Sequence, residues 1–262
     1  MSSSRPPRTA VPVRAAAVAG AVAVLLAGAT ACGASAEDDS EPERRSFAVE
    51  GRTLTVDSDD SALEIIAADG NPAGEITVTR WFQGSVVVGS DPEVSWSMSG
   101  DRLKLRMNCT GVVADCAAKH RIEVPRGITV KVEDGDGSVR ARGFQDALDI
   151  RTGDGSVHVT DSTGPLRLRT GDGSARADVT SREVRAHTGD GSVHLTLGAV
   201  PDLVESRTGD GSVTISLPEA TYRVSTRTGD GAVDVSVPRD ETSAHVVSAH
   251  TGDGKVTVRT AN

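Results

Sequence analysis

Aromatic residues are almost missing: three Phe, two Trp and one Tyr in 262 residues. A core built without them must be thin and aliphatic. That argues against a typical globular enzyme, whose pocket needs a thick wall around it. Lysine is scarce as well, four residues against 24 arginines, and the formal net charge is −9. A chain with this charge and so few rings to stack bases is poorly suited to nucleic acid. Enzyme signatures are lacking: there is no G-x-S-x-G elbow, no H-E-x-x-H, no P-loop and no Rossmann glycine pattern. The serine that follows most of the glycine turns described below (Ser156 and Ser212, for example) has no dedicated base and recurs too often to be one nucleophile.

Long apolar runs are also lacking. Residues Ala15 to Ala31 are uncharged and mostly Ala, Val, Leu and Gly, too short and alanine-rich for a comfortable membrane span. Arg5, Arg8 and Arg14 precede them, so residues 1–31 read as an export signal. The signal ends in small residues directly before Cys32. That arrangement resembles a bacterial lipobox, in which the cysteine carries a lipid, although Ala29 stands where leucine is preferred. The alternative is an ordinary signal cut near Ala31 or Ala36. Residues 32–46 are acidic, polar and without apolar periodicity, and are expected to form a flexible tether. Export permits disulfides, and Cys109 and Cys116 flank the connection between two strand-like segments, so a structural bridge is expected.

What the sequence has in abundance is glycine, 28 residues, and much of it is periodic. Gly-Asp-Gly recurs at 135–137, 153–155, 171–173, 189–191, 209–211, 229–231 and 252–254. Thr precedes six of the seven copies, and Arg or His stands one residue earlier still. The flanks alternate with period two, for example Leu148/Ile150 before a turn and Val157/Val159 after it. Each repeat is thus strand, turn, strand and a variable return loop. Stacked copies bury what one copy cannot. The expected fold is an all-β, single-stranded β-solenoid of 18–23-residue coils over residues 131–262, right-handed by analogy with other parallel crossovers. A hairpin meander is the competing topology. Residues 47–130 are strand-like but less regular and are expected to form irregular first coils that cap the stack.

The alternating N-terminal strands, the Cys109/Cys116 pair, the segment Ile122-Glu123-Val124-Pro125-Arg126-Gly127 and the following Gly-Asp-Gly-Ser-Val repeats resemble the putative-adhesin domain of bacterial cell-surface proteins. The resemblance covers about residues 47–258. It implies an extracytoplasmic β-solenoid whose activity is not defined, and it supplies no catalytic residues.

Three sets of side chains are candidates for function. The aspartates of the turns (Asp154, Asp172, Asp190 and Asp210 among them) would form a column able to offer oxygens to Ca2+. The preferred reading is turn chemistry, with Gly supplying positive φ and Asp accepting backbone hydrogen bonds. Arg151, Arg169, His187, Arg207, Arg227 and His250 precede the turns, and Arg140, His158, Arg176 and His194 follow them. Together they would stripe a face able to hold cell-wall polymer, glycan or an envelope protein. The alternative is a solvated face of weak ion pairs. His187, Asp190 and His194 flank one turn and form a weak metal candidate. The reading is a non-catalytic, lipid-anchored, adhesin-like protein on the outer face of the cell membrane, with no nucleic-acid partner. A polysaccharide-active β-helix enzyme or an envelope-stress accessory protein are the alternatives.

Overall fold

The computed structural model describes residues 35–261. Cys32 and the export signal lie outside the described residues.

After a short 3-10 turn at Ala36–Asp38, the irregular part holds β1 (Glu43–Ala48), β2 (Thr53–Ser58), β3 (Ala62–Ala68), β4 (Glu75–Val86), β5 (Glu93–Ser99), β6 (Arg102–Asn108) and β7 (Ala114–Pro125). The repeats hold β8 (Thr129–Asp134), β9 (Val139–Arg142), β10 (Leu148–Thr152), β11 (Val157–Thr160), β12 (Leu166–Thr170), β13 (Ala175–Val179) and β14 (Glu183–Thr188). They continue with β15 (Val193–Leu197), β16 (Leu203–Arg207), β17 (Val213–Leu217), β18 (Arg223–Arg227), β19 (Val233–Val235), β20 (Val246–His250) and β21 (Val256–Thr260).

These strands form two sheets, of eleven and ten strands. Through the repeats the even-numbered strand of each coil joins the ten-stranded sheet and the odd-numbered one joins the eleven-stranded sheet, all in parallel register. Equivalent residues therefore fall opposite one another: Ile150 pairs with Leu168, and Leu168 with Ala186. The alternating side chains fill the space between the sheets. Leu148, Ile150, Val157, Val159, Leu166 and Leu168 are all buried. Each buried Val, Leu or Ile contributes about 1.5–3 kcal/mol. The all-β solenoid expected from the repeat is the observed architecture, and in-register stacking rather than a meander accounts for the repeats.

Three expectations need correction. First, the segment up to residue 46 is not wholly a tether. Ala36 is buried, the Glu37 carboxylate meets Lys119 Nζ at 2.8 Å, and Asp39 accepts a hydrogen bond from the Phe82 backbone N–H at 3.0 Å. Strand β1 then pairs antiparallel with β4. Acidic composition hid these fixed contacts. Second, residues 47–130 are not simply parallel first coils. β4 pairs antiparallel with β1 and β7, and β5 with β6, while β2 and β3 join the parallel ladders. Third, the coils do not stack in chain order. The last coil, β20–β21, is inserted between β16–β17 and β18–β19. At the other end β2–β3 lies between β6–β7 and β8–β9.

Candidate functional site: an arginine-histidine ladder

The turns that join the sheets are held by the backbone. Gly153 N–H donates to Gly135 C=O, Gly171 to Gly153 and Gly189 to Gly171, each at 2.6 Å, and the column runs on through Gly209, Gly252 and Gly229. The recurring threonine locks six of the seven turns. Thr152 Oγ1 donates to Gly155 C=O at 2.7 Å and Thr170 Oγ1 to Gly173 C=O at 2.8 Å. Thr208, Thr251 and Thr228 donate instead to a glycine of the neighbouring coil.

This corrects the expected turn chemistry. Among the described residues the positive-φ glycines are Gly74, Gly89, Gly100, Gly127 and Gly143, and none belongs to a Gly-Asp-Gly turn. Glycine is needed there because coils stack too closely for a side chain. A Cβ on Gly155, Gly173 or Gly191 would fall well under 3.0 Å from the carbonyl oxygen of the equivalent glycine in the coil before. The aspartates Asp136, Asp154, Asp172, Asp190, Asp210, Asp230 and Asp253 are all exposed. None of their carboxylates accepts one of the described hydrogen bonds. No group of three or more His, Cys, Asp or Glu among the described residues is arranged to hold a metal ion.

The basic residues divide into two faces rather than one. Arg140, His158, Arg176 and His194 point out from the eleven-stranded sheet. Arg151, Arg169, His187, Arg207, His250 and Arg227 form successive rungs on the ten-stranded sheet, on the opposite side of the core. His187 and His194 consequently leave Asp190 in different directions, and that trio is not gathered. Rungs are spaced about 4.8 Å apart, so Arg151 to Arg207 spans about 14 Å.

A second column lies two residues earlier on the same face: Asp149, Arg167, Arg185 and Glu205 in consecutive rungs. Asp149 stands 3.6, 3.7 and 3.9 Å from the guanidinium groups of Arg151, Arg167 and Arg169. Glu205 contacts Arg207 at 2.9 Å and Arg185 at 3.6 Å, and Arg185 also pairs with Glu183. Five guanidinium groups thus face three carboxylates. Between them runs a shallow groove of about 270 Å³ lined by Arg167, Arg169, Arg185, His187, Glu205 and Arg207. It is a cationic strip on an acidic protein, with planar donors left over after internal pairing. The sequence displayed the outer column through its repeat; Arg167 and Arg185 were missed, although they share its outward phase.

Cys109 and Cys116 are joined in a disulfide with Cα atoms 6.3 Å apart. Cys109 follows β6 and Cys116 lies within β7, so the bridge closes the loop between the two.

A two-sheet β-solenoid with in-register ladders of outward side chains is the class the fold defines. The chain belongs to the Toastrack DUF4097 family, whose model matches residues 33–262. Solved structures also resemble it. One is described as a putative adhesin from Parabacteroides distasonis ATCC 8503, at 10% identity and TM-score 0.47, over 85% of this chain and 98% of that one. Another, a putative adhesin from Parabacteroides merdae ATCC 43184, has 14% identity and TM-score 0.46 over 86% and 98%. A putative cell adhesion protein from Clostridium sporogenes ATCC 15579 has 14% identity and TM-score 0.38 over 84% and 100%. Comparison with curated proteins gives no match.

Proposed function

We propose that this protein is an exported, lipid-anchored display protein of the cell envelope, and that the arginine-histidine face of its ten-stranded sheet binds an anionic polymer of the cell wall without catalysing a reaction. The observation that carries the reading is the register: Arg151, Arg169, His187 and Arg207 occupy consecutive rungs beside Arg167 and Arg185. A flexible chain of regularly spaced phosphates or carboxylates meets a matching row of fixed donors, each guanidinium able to bind an oxyanion in bidentate fashion. The groove between them carries one carboxylate, Glu205, already paired with Arg207 and Arg185. That supports binding over glycan cleavage, which uses two carboxyl groups flanking the bond. The export signal and the small residues before Cys32 support the anchor.

Titration of the purified chain with a glycerol-phosphate polymer, and with a neutral glycan as control, tests the binding role. Salt-sensitive binding of the first alone is expected; equal binding of both, or of neither, removes the assignment. Cys32→Ser tests the anchor, with release from the membrane fraction expected.

A further inference from the structure

Four of the five strongly exposed large apolar residues among the described residues fall in one place: Val87 at 72%, Val88 at 61%, Val112 at 79% and Val113 at 59% exposure. They form a two-stranded ribbon that prolongs the β4–β7 pair. Val87 N–H donates to Val113 C=O at 2.9 Å and Val112 N–H to Val88 C=O at 2.8 Å. Gly89 and Gly111 bridge beyond them. The ribbon extends past the solenoid edge: Ala62 of β3 meets Lys119, while β7 begins five residues earlier, at Ala114. Val112 and Val113 sit at the apex of the loop that Cys109–Cys116 closes, which holds them in place without a covering surface.

The chain bends at Val87–Val88 and again at Val112–Val113, so the four exposed side chains crown a turned-over tip rather than line one flat face. A flat protein surface would cover only part of such a tip, whereas a lipid environment covers all of it.

The position of the anchor adds a second argument. The described residues begin at Ser35, which caps the turn Ala36–Asp38, and that turn is fastened to the base of the same ribbon through Asp39–Phe82 and Glu37–Lys119. Two residues separate Ser35 from Cys32, a leash of at most about 11 Å. From the Phe82–Ala118 rung to the Val87–Val113 rung is about 17 Å of strand. The leash is shorter than the ribbon, so a lipid on Cys32 would keep the valine tip near the bilayer surface, where apolar side chains lodge at a depth of about 5–10 Å.

We infer that the Val87-Val88/Val112-Val113 ribbon is a membrane-contact tip, dipping into the bilayer that holds Cys32 and fixing the orientation of the solenoid above it. The inference rests on the anchor assigned under the proposed function, and two measurements separate the two.

In the first, Val88→Trp is introduced into the lipidated full chain, which is placed in vesicles of phosphatidylcholine and phosphatidylglycerol carrying brominated acyl chains. The added emission, over that of Trp81 and Trp96, is expected to be quenched; unquenched emission from a vesicle-bound chain overturns the tip. In the second, the Cys32→Ser chain is sedimented with the same vesicles without bromine. Weak binding is expected, falling roughly tenfold when Val87, Val88, Val112 and Val113 are all changed to Thr, which keeps shape and removes apolarity. An unchanged partition overturns the tip. Binding to native membranes but not to protein-free vesicles also overturns it, in favour of a protein partner. Should Cys32→Ser remain in the membrane fraction and the threonine variant leave it, the anchor fails and the tip stands.

Discussion

Gly155 lies so close to Gly137, its counterpart one coil earlier, that no side chain fits between its Cα and the Gly137 carbonyl oxygen. The neighbour Asp154 is exposed. Gly155→Ala is therefore expected to destabilise the fold by roughly 3 kcal/mol or more through overpacking against backbone. Asp154→Asn should change stability by less than about 0.5 kcal/mol. Thermal or urea melts of the two variants check this directly, and equal melts would remove steric stacking as the reason for the glycine repeat.

The hydroxyl of Thr170 is buried and hydrogen-bonded to Gly173 C=O. Thr170→Val keeps the shape and leaves the carbonyl short of a donor, at a cost of about 1–3 kcal/mol. Thr170→Ser should recover most of it. Urea midpoints of the three proteins are the measurement.

Asp134 takes the threonine position in the first turn. It is buried, and its nearest hydrogen-bonding neighbour, the Ser58 hydroxyl, does not reach it in good geometry. Burial, opposed in part by Ser58 and reinforced by the charges of Asp60, Asp136 and Asp59, pushes it up to about 7 from its ordinary 3.8. Folded Asp134 keeps a proton that the unfolded chain releases between those values. Its contribution is full below pH 3.8, declines as pH rises and is gone above about pH 7. The loss is on the order of 3 kcal/mol. Asp134→Thr is expected to raise the melting temperature at pH 8 and to have little effect at pH 4; a pH-independent difference would contradict this.

His120 acts with the opposite sign. It is fully buried, both ring nitrogens lack partners, and Trp96 lies 6.3 Å away between ring centres. Burial, and then the charge of Arg80, brings it down to about 4 from 6.5. Unfolded His120 gains a proton below pH 6.5 that the folded form refuses until about pH 4. Stability from this group is complete above pH 6.5 and lost as pH falls through 4, again on the order of 3 kcal/mol. His120→Phe should resist acid better, seen as a flatter melting profile between pH 4 and 6.5.

On the cationic face, exposed ion pairs add only about 0–1 kcal/mol each to stability. Changing Arg169 and Arg207 to Ala together should leave the melt nearly unchanged. Affinity for a glycerol-phosphate polymer should drop roughly tenfold, with a shallower dependence on salt. Unaltered affinity in titration calorimetry would place the ligand elsewhere.

The coil unit was legible because Leu148/Ile150, Val157/Val159 and their repeats keep both period and phase. Which coil neighbours which was not. Nothing in Val246–His250 distinguishes pairing with Leu203–Arg207 from pairing with Arg223–Arg227, and β20 pairs with both. The two basic columns looked like one face because residues on either side of a turn are close in sequence; the turn sends them to opposite sheets. Asp134 was visible as the one break in the threonine series, but burial, which gives it meaning, is a property of the stack. Residues 36–39 and β1 escaped notice because their partners, Phe82, Lys119 and β4, lie 27 or more residues away.

The interleaving of β20–β21 between two earlier coils has a consequence for how such chains can lengthen. A duplication appended at the C-terminus would find its slot already occupied on both sides, whereas one within Leu148–Leu197 simply inserts another layer. Variation in the number of coils should therefore originate within the regular repeats, with the interleaved coil pairs at either end of the stack behaving as fixed clasps.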